Sequence, residues 1–369
     1  MSKYRKIIDL LEKADIKING DRPWDVKIYN EIVFEKVISK GSLGLGESYM
    51  DGDWDSERVD LFIEKLIRAE PYKNKNISFA WLYIKARLFN LQSFVGAKKV
   101  IDEHYDLDHQ LYMSFLDPYN QYTCGYFKDT EDLNVAQEQK LDLICKKLQL
   151  KEGDELLDIG CGWGGLAKFA AEKYGCKVTG ISISEEQIKF ARDLTKGLNV
   201  EILNLDYRDL NDRKFDKIVS VGMLEHVGYK NYRQYMEIVS NSLKDNGLFL
   251  LHTIGNNETH FVGEPWSDKY IFPGGMVASI KQIGEAVEEL LVMEDWHNFG
   301  PYYYNTLIAW DKNFVKNWGN IKVKYSERFY KMFRYYFLSF AGAFKARDIQ
   351  LWQVVFSKGG SDKVYNSIR

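Results

Sequence analysis

The side chains best placed to do chemistry in this 369-residue chain stand at, or just past, the ends of apolar strand-like runs. Glu225 closes SVGMLEHVG with His226 beside it, His252 interrupts LFLLHTIG, and Asp206 and Tyr207 end the run VEILNL. In open α/β sheets, functional groups collect beyond the carboxyl ends of strands. Glu225 and His252 are therefore candidates for acid–base or charge-stabilising work, and Asp206 for contact with an adenine or ribose. Residues 156–165, LLDIGCGWGG, indicate what they act beside. An apolar run ends in Asp158 and breaks into a turn containing Gly160, Cys161, Gly162 and Gly164, followed by alanines and Phe169 at helical spacing. Strand, glycine turn and helix in that order predict the nucleotide-cofactor crevice of a doubly wound sheet.

The glycines satisfy G-x-G-x-x-G, so a dinucleotide remains formally open. Asp158, two residues before the first glycine, would crowd a pyrophosphate but suits a cationic ligand. The next strand closes on Ser182 and Ser184, although Glu185 and Glu186 follow directly. S-adenosylmethionine, a sulfonium without phosphate, is the favoured cofactor.

These groups need a scaffold, and the composition allows one. With 50 Lys+Arg against 53 Asp+Glu, the net charge of −3 gives no general pull toward nucleic acid. Cys124, Cys145, Cys161 and Cys176 form neither C-x-x-C nor a dense framework, so reduced thiols and no metal centre are expected. No secretory signal or spanning run is apparent, and a cytoplasmic protein is expected. Apolar runs predict strands at 156–159, 178–182, 200–205, 217–221, 248–253 and 351–356, with a helix at 134–148. An amphipathic helix is expected within 55–69. The predicted class is α/β, a doubly wound Rossmann-like methyltransferase sheet with a smaller, mainly helical N-terminal domain. Residues 1–100 are assigned to a lipid- or membrane-docking domain and 101–369 to the catalytic domain. Residues 71–101 lack any acid and interleave cations with aromatics, a pattern suited equally to an anionic bilayer surface and to packing on the chain's own domain. Two or three lipid-facing cations would contribute about 2–3 kcal/mol, too little alone. Aromatic segments 271–296 and 326–344 are expected to wall the strand ends.

Eight ordered stretches resemble the cyclopropane-fatty-acyl-phospholipid synthase family. They are ESYMDGDW (47–54), HYDL (104–107), YTCGYF (122–127), LLDIGCGWGG (156–165), SVGMLEHVG (220–228), LLHTIG (250–255), MEDWHNFG (293–300) and AGAFKARDIQLWQVVF (341–356). The resemblance implies methylene transfer from S-adenosylmethionine to the cis double bond of a phospholipid acyl chain. It implies cofactor contacts by Tyr122, Thr123, the glycine turn, Ser182, Ser184, Gln187, Asp206 and Tyr207. It also implies a bicarbonate ion as base, held by Cys124, Glu225, His252, Ile254 through its backbone, and Tyr303, which Tyr302 and Tyr304 flank. A homodimer peripheral to the inner face of the cell membrane is implied as well. Gly125 stands where family members commonly carry alanine, which would loosen the Cys124 turn.

An alkene is a weak nucleophile, so such a transfer passes through a carbocation. Aromatic faces stabilise a cation by about 0.5–2 kcal/mol each, and a carboxylate ~4 Å away by about 4 kcal/mol. The alternative is a small-molecule N-methyltransferase on the same scaffold.

Overall fold

The computed structural model describes residues 4–69, 109–210, 213–360 and 364–369. Its strands in chain order are β1 (Lys27–Ile28), β2 (Trp54–Asp55), β3 (Glu155–Ile159), β4 (Lys177–Ser182) and β5 (Val200–Asn204). They continue with β6 (Phe215–Val221), β7 (Leu243–Asn256), β8 (Ala278–Ser279), β9 (Val292–Asn298) and β10 (Ile349–Ser357). β1 and β2 form a small antiparallel ribbon. The others make one sheet in the order β5-β4-β3-β6-β7-β10-β9, with β8 pairing β7 outside that path. Pairing is parallel from β5 through β7, and β10 runs antiparallel to both neighbours.

The sequence of β3 and β4 explains their central place. Leu156, Leu157, Asp158 and Ile159 are all buried, as are Val178 to Ile181, because apolar side chains on both faces are covered. From β3 the chain winds outward through β4 and β5, then returns to lay β6 on the other side. The loops after β3 and β6 therefore diverge, and a crevice opens between them.

The helix expected at 134–148 is Leu133–Lys147. Asp132 starts it by accepting from the Asn134 and Val135 amides at 2.8 and 3.0 Å, which satisfies two otherwise orphaned donors. The amphipathic N-terminal helix is Val59–Ala69. It packs on the long helix Glu327–Ala346, where a Cβ on Gly342 would lie 2.6 Å from the Asp60 carbonyl oxygen. Only glycine permits that approach. Residues of 4–69 consequently share one apolar core with Trp266, Trp310, Phe333 and Phe337.

ESYMDGDW contributes to the same junction. Buried Glu47 accepts from Lys40 Nζ at 2.8 Å, Lys269 Nζ at 2.6 Å and Tyr270 Oη at 2.9 Å. Those bonds hold its carboxyl at about 2 against the cost of burial, and they tie helix Ser42–Asp51 to helix Pro265–Tyr270.

The expected wall over the strand ends needs a correction. Residues 326–344 do supply aromatic rings near the crevice, but most of 271–296 lies elsewhere. It forms helix Ile280–Val287, packed on helix Tyr232–Ser242, and the edge strand β9. Phe272 is its contribution near the crevice. With Phe272 and Trp296 as its only aromatics, this segment lacks the rings to build a wall. The acid-free segment 71–101 and HYDL lie outside the described residues.

Candidate active site

The crevice beyond β3 and β6 encloses a cavity of about 220 Å³. Tyr122, Thr123, Asp158, Gly160, Cys161, Gly162, Ser182, Ser184, Gln187, Asp206 and Tyr207 all line it. Gly164 does not. It adopts φ 83° at the start of helix Gly165–Tyr174, where a Cβ would come within 2.8 Å of Ala191, so its job is to turn the chain. Gly160 has φ 79°, and a Cβ there would lie 2.9 Å from Met223, across the crevice floor.

Asp158 and Asp206 are the acids of this cavity, and Asp158 lies at the end of β3. It is buried, and its Oδ2 finds no hydrogen-bond partner. Burial raises its carboxyl to about 7, with Lys140 acting in the opposite direction. Such a group suits a ligand that supplies donors or positive charge. At the end of β4, Ser184 caps helix Glu185–Leu194 through the Gln187 amide, and Ser182 Oγ reaches Gln187 Oε1 at 3.3 Å. Asp206 caps the turn Tyr207–Asp209 and is gripped by Arg208 at 2.7 and 2.6 Å.

A second set of groups adjoins this cavity. The Ile254 amide donates to Glu225 Oε1 at 2.7 Å, while Glu225 Oε2 is buried without a partner. Burial raises Glu225 to about 7, against the backbone bonds that favour its ionised form. His252 precedes Ile254 by two residues on β7, so both side chains leave the same face of the sheet. His252 is buried, its Nδ1 lies 3.2 Å from Gln353 Nε2, and its Nε2 has no partner. Burial, with Lys140 and Lys147, drives the imidazole well below its usual value.

Thr123, the residue before Cys124, packs against Gly222, which is bonded to His252. The Gly222 amide donates to the His252 carbonyl at 2.9 Å, and a Cβ on Gly222 would lie 2.8 Å from Thr123 Cγ2. The Cys124 thiol is buried and pushed upward by desolvation, so it remains protonated and inert as a nucleophile. The turn is not loosened at Gly125. Its amide donates to Thr306 Oγ1 at 2.9 Å, and a Cβ would meet Ala136 at 3.2 Å.

Thr306 belongs to helix Pro301–Ile321, which also carries the three tyrosines. Tyr304 is turned away, donating to Asp60 at 3.0 Å beside Arg58. Tyr302 packs on Tyr126 and Phe127. Tyr303 is buried, stacked on Phe344 at 4.5 Å and 6.2 Å from Trp310. Trp310 in turn meets Tyr122 at 5.2 Å, and Tyr122 lies 6.3 Å from Phe272. A continuous aromatic wall thus runs from the cavity to Tyr303.

His226, beside Glu225 in the sequence, lines the cavity and is lowered to about 4 by burial. Three residues escaped sequence reasoning as site candidates. Arg208 lines the cavity too, but grips Asp206. Lys140 is wholly buried and donates to Gln121 Oε1 and Thr123 Oγ1, both at 2.7 Å. Gln353 contacts His252 from β10. Neither Lys140 nor Gln353 carries a local motif that could have marked it.

The chain matches the family described as mycolic acid cyclopropane synthetase over residues 93–354. It is 52% identical to the cyclopropane-fatty-acyl-phospholipid synthase of Escherichia coli K12, across 96% of this chain and 94% of that one. Its fold resembles the mycolic acid cyclopropane synthase CmaA1 crystallised with SAH and CTAB, at TM-score 0.66 and 31% identity, covering 71% of this chain and 98% of that one. Coclaurine N-methyltransferase gives a TM-score of 0.69 over 85% of this chain and 99% of that one, but at 21% identity this likeness concerns the fold alone.

Proposed function

We propose a reaction for this chain, which belongs to the mycolic acid cyclopropane synthetase family: methylene transfer from S-adenosylmethionine to the cis double bond of an unsaturated phospholipid acyl chain, closing a cyclopropane ring. The observation that carries this assignment is Glu225, whose carboxylate has one buried, unpartnered oxygen and which directly precedes His226 of the cavity lining.

S-adenosylmethionine fits the crevice because Gly160 and Gly162 leave backbone exposed and Asp158 Oδ2 awaits a donor. Asp158, Tyr122, Thr123, Ser182, Ser184, Gln187, Asp206 and Tyr207 would hold it. It supplies a methyl group activated by a sulfonium. The chain's own groups then manage the charge that the alkene acquires. The faces of Tyr122, Phe272 and Trp310 stabilise a carbocation by about 0.5–2 kcal/mol each. Ionised Glu225 adds about 4 kcal/mol if ~4 Å away, roughly three powers of ten in rate. Burial excludes the water that would trap the cation as an alcohol.

Ring closure requires loss of a proton from the delivered carbon. Cys124, Glu225, His252 and Tyr303 would hold a bicarbonate ion, which supplies a base when bound. Unpartnered His252 Nε2 and Glu225 Oε2 support its placement there. The Ile254 amide is engaged by Glu225, so this residue contributes through that carboxylate. A homodimer at the inner membrane surface, reached by residues 1–100, completes the proposal. No helix among the described residues is long and apolar enough to cross a membrane.

The test is incubation of purified protein with S-adenosylmethionine and vesicles of unsaturated phospholipid. Acyl chains should become heavier by one CH₂. An absent mass gain, or methylation of a small amine instead, would reject the proposal.

A further inference from the structure

We infer that Gln353 is a positioning residue that places the proton of His252 on Nε2, making this buried imidazole a hydrogen-bond donor to the anion proposed above. The inference deepens that proposal and rests on it for the identity of the anion alone.

The register of the sheet brings the two residues together. β10 lies between β7 and β9, and Gln353 pairs directly with His252 on one side and with His297 on the other. Residues directly opposite in a ladder project on the same face. Gln353 and His252 are both buried, and the carboxamide Nε2 lies 3.2 Å from His252 Nδ1.

A neutral imidazole holds one proton, and the hydrogen bond at one nitrogen decides which nitrogen holds it. Burial between Lys140 and Lys147 keeps His252 neutral. A carboxamide N–H aimed at Nδ1 needs a lone pair there, so the proton resides on Nε2. That Nε2–H is buried with no protein acceptor. A donor desolvated in this way costs about 1–3 kcal/mol unless something accepts from it. A second buried atom in the same condition is Oε2 of Glu225, whose other oxygen is bonded to the amide two residues beyond His252, and it is an acceptor when ionised. A bicarbonate-sized group can satisfy both, accepting from His252 and donating its own hydroxyl proton to Glu225. The opposite tautomer would present the lone pair of Nε2 to an anion and repel it.

Lys147 does something comparable to His297. Its Nζ lies 3.0 Å from His297 Nδ1, and in its ammonium form, which burial disfavours, it can only donate. Two imidazoles flanking Gln353 are thus each approached at Nδ1 by a side-chain nitrogen.

Protein labelled with ¹⁵N at histidine tests the assignment directly, since protonated and unprotonated ring nitrogens resonate far apart. There are six histidines, and the His252 signals are identified by their loss in His252→Gln. In bicarbonate-free buffer His252 should show Nε2–H, and Gln353→Glu should transfer the proton to Nδ1. Gln353→Glu should also lower kcat at least tenfold and abolish stimulation by added bicarbonate, with S-adenosylmethionine affinity changed less than twofold. Gln353→Met should give mixed tautomers and an intermediate rate. Nδ1–H in the native protein would overturn the inference and leave the reaction untouched. Nε2–H together with activity indifferent to bicarbonate would refute the anion's identity and leave the tautomer assignment standing. Should Gln353→Glu fail to fold, the native spectrum still decides.

Discussion

Ile254 and Glu225, 29 residues apart in sequence, meet through a 2.7 Å bond from backbone amide to carboxylate oxygen. The bond occupies Oε1, locks the rotamer and leaves Oε2 free within a buried site. The same carboxylate is raised to about 7 by burial, so near neutrality it is divided between its charged and neutral forms.

Glu225→Gln preserves shape and one acceptor but removes the charge. Turnover should fall by at least 100-fold, while S-adenosylmethionine binding, measured by titration calorimetry, changes less than threefold. Retained turnover would show that Glu225 does not stabilise the developing cation.

The raised Glu225 value also sets a pH dependence of stability. Its folded-state value of about 7 lies above the ordinary 4.5, so the folded chain binds more protons than the unfolded one between those pH values. This group's contribution therefore declines as pH rises from about 4.5 to 7 and is constant above. The difference amounts to about 3 kcal/mol at about 1.36 kcal/mol per pK unit. His226 and His252, both lowered, act in the opposite sense, so the comparison must be differential. In urea unfolding at pH 4.5 and pH 8, Glu225→Gln should gain relative to the parent chain as pH rises. A pH-independent difference would contradict the buried assignment.

Lys140→Met removes a buried ammonium that donates to Gln121 and Thr123, two residues of the cavity wall. Each acceptor left unpaired costs about 1–3 kcal/mol. Both thermal stability and S-adenosylmethionine affinity should fall, the latter about tenfold. An affinity loss without any drop in Tm would mean that Lys140 acts on the ligand and does not brace the wall.

Gly160→Ala adds a Cβ at φ 79°, 2.9 Å from Met223. The left-handed backbone costs about 1–2 kcal/mol for a non-glycine residue, and the methyl intrudes on the crevice floor. Cofactor affinity should fall more than tenfold. Gly162→Ala, whose Cβ meets nothing within 4 Å, should lose affinity less, mainly through the backbone term. Equal losses would assign the effect to backbone strain alone.

Much of the architecture could be read along the chain because its signals are local. β3, the glycine turn and helix Gly165–Tyr174 occupy adjacent residues, and the apolar runs of β4, β6 and β7 mark strands without knowledge of their partners. Of the cofactor-side residues that this order and the family resemblance together pointed to, all line the cavity except Gly164, which turns the chain. The 271–296 segment differs from the expected wall because only Phe272 and Trp296 in it are aromatic, and its apolar residues serve a helix and an edge strand.

What the chain order determined, then, is the crevice: its strands, its glycines and the acids at the strand ends. Only the tertiary structure decided how those acids are partnered. Insertion of β10 between β7 and β9 sets Gln353 against His252 across 101 residues. Helix Leu133–Lys147 reads as an ordinary charged helix, yet packing buries Lys140 beside Thr123. Tautomers, raised carboxyl values and buried cations depend on what surrounds a group after folding, and neighbours brought in from distant segments leave no periodic trace in the residues beside it.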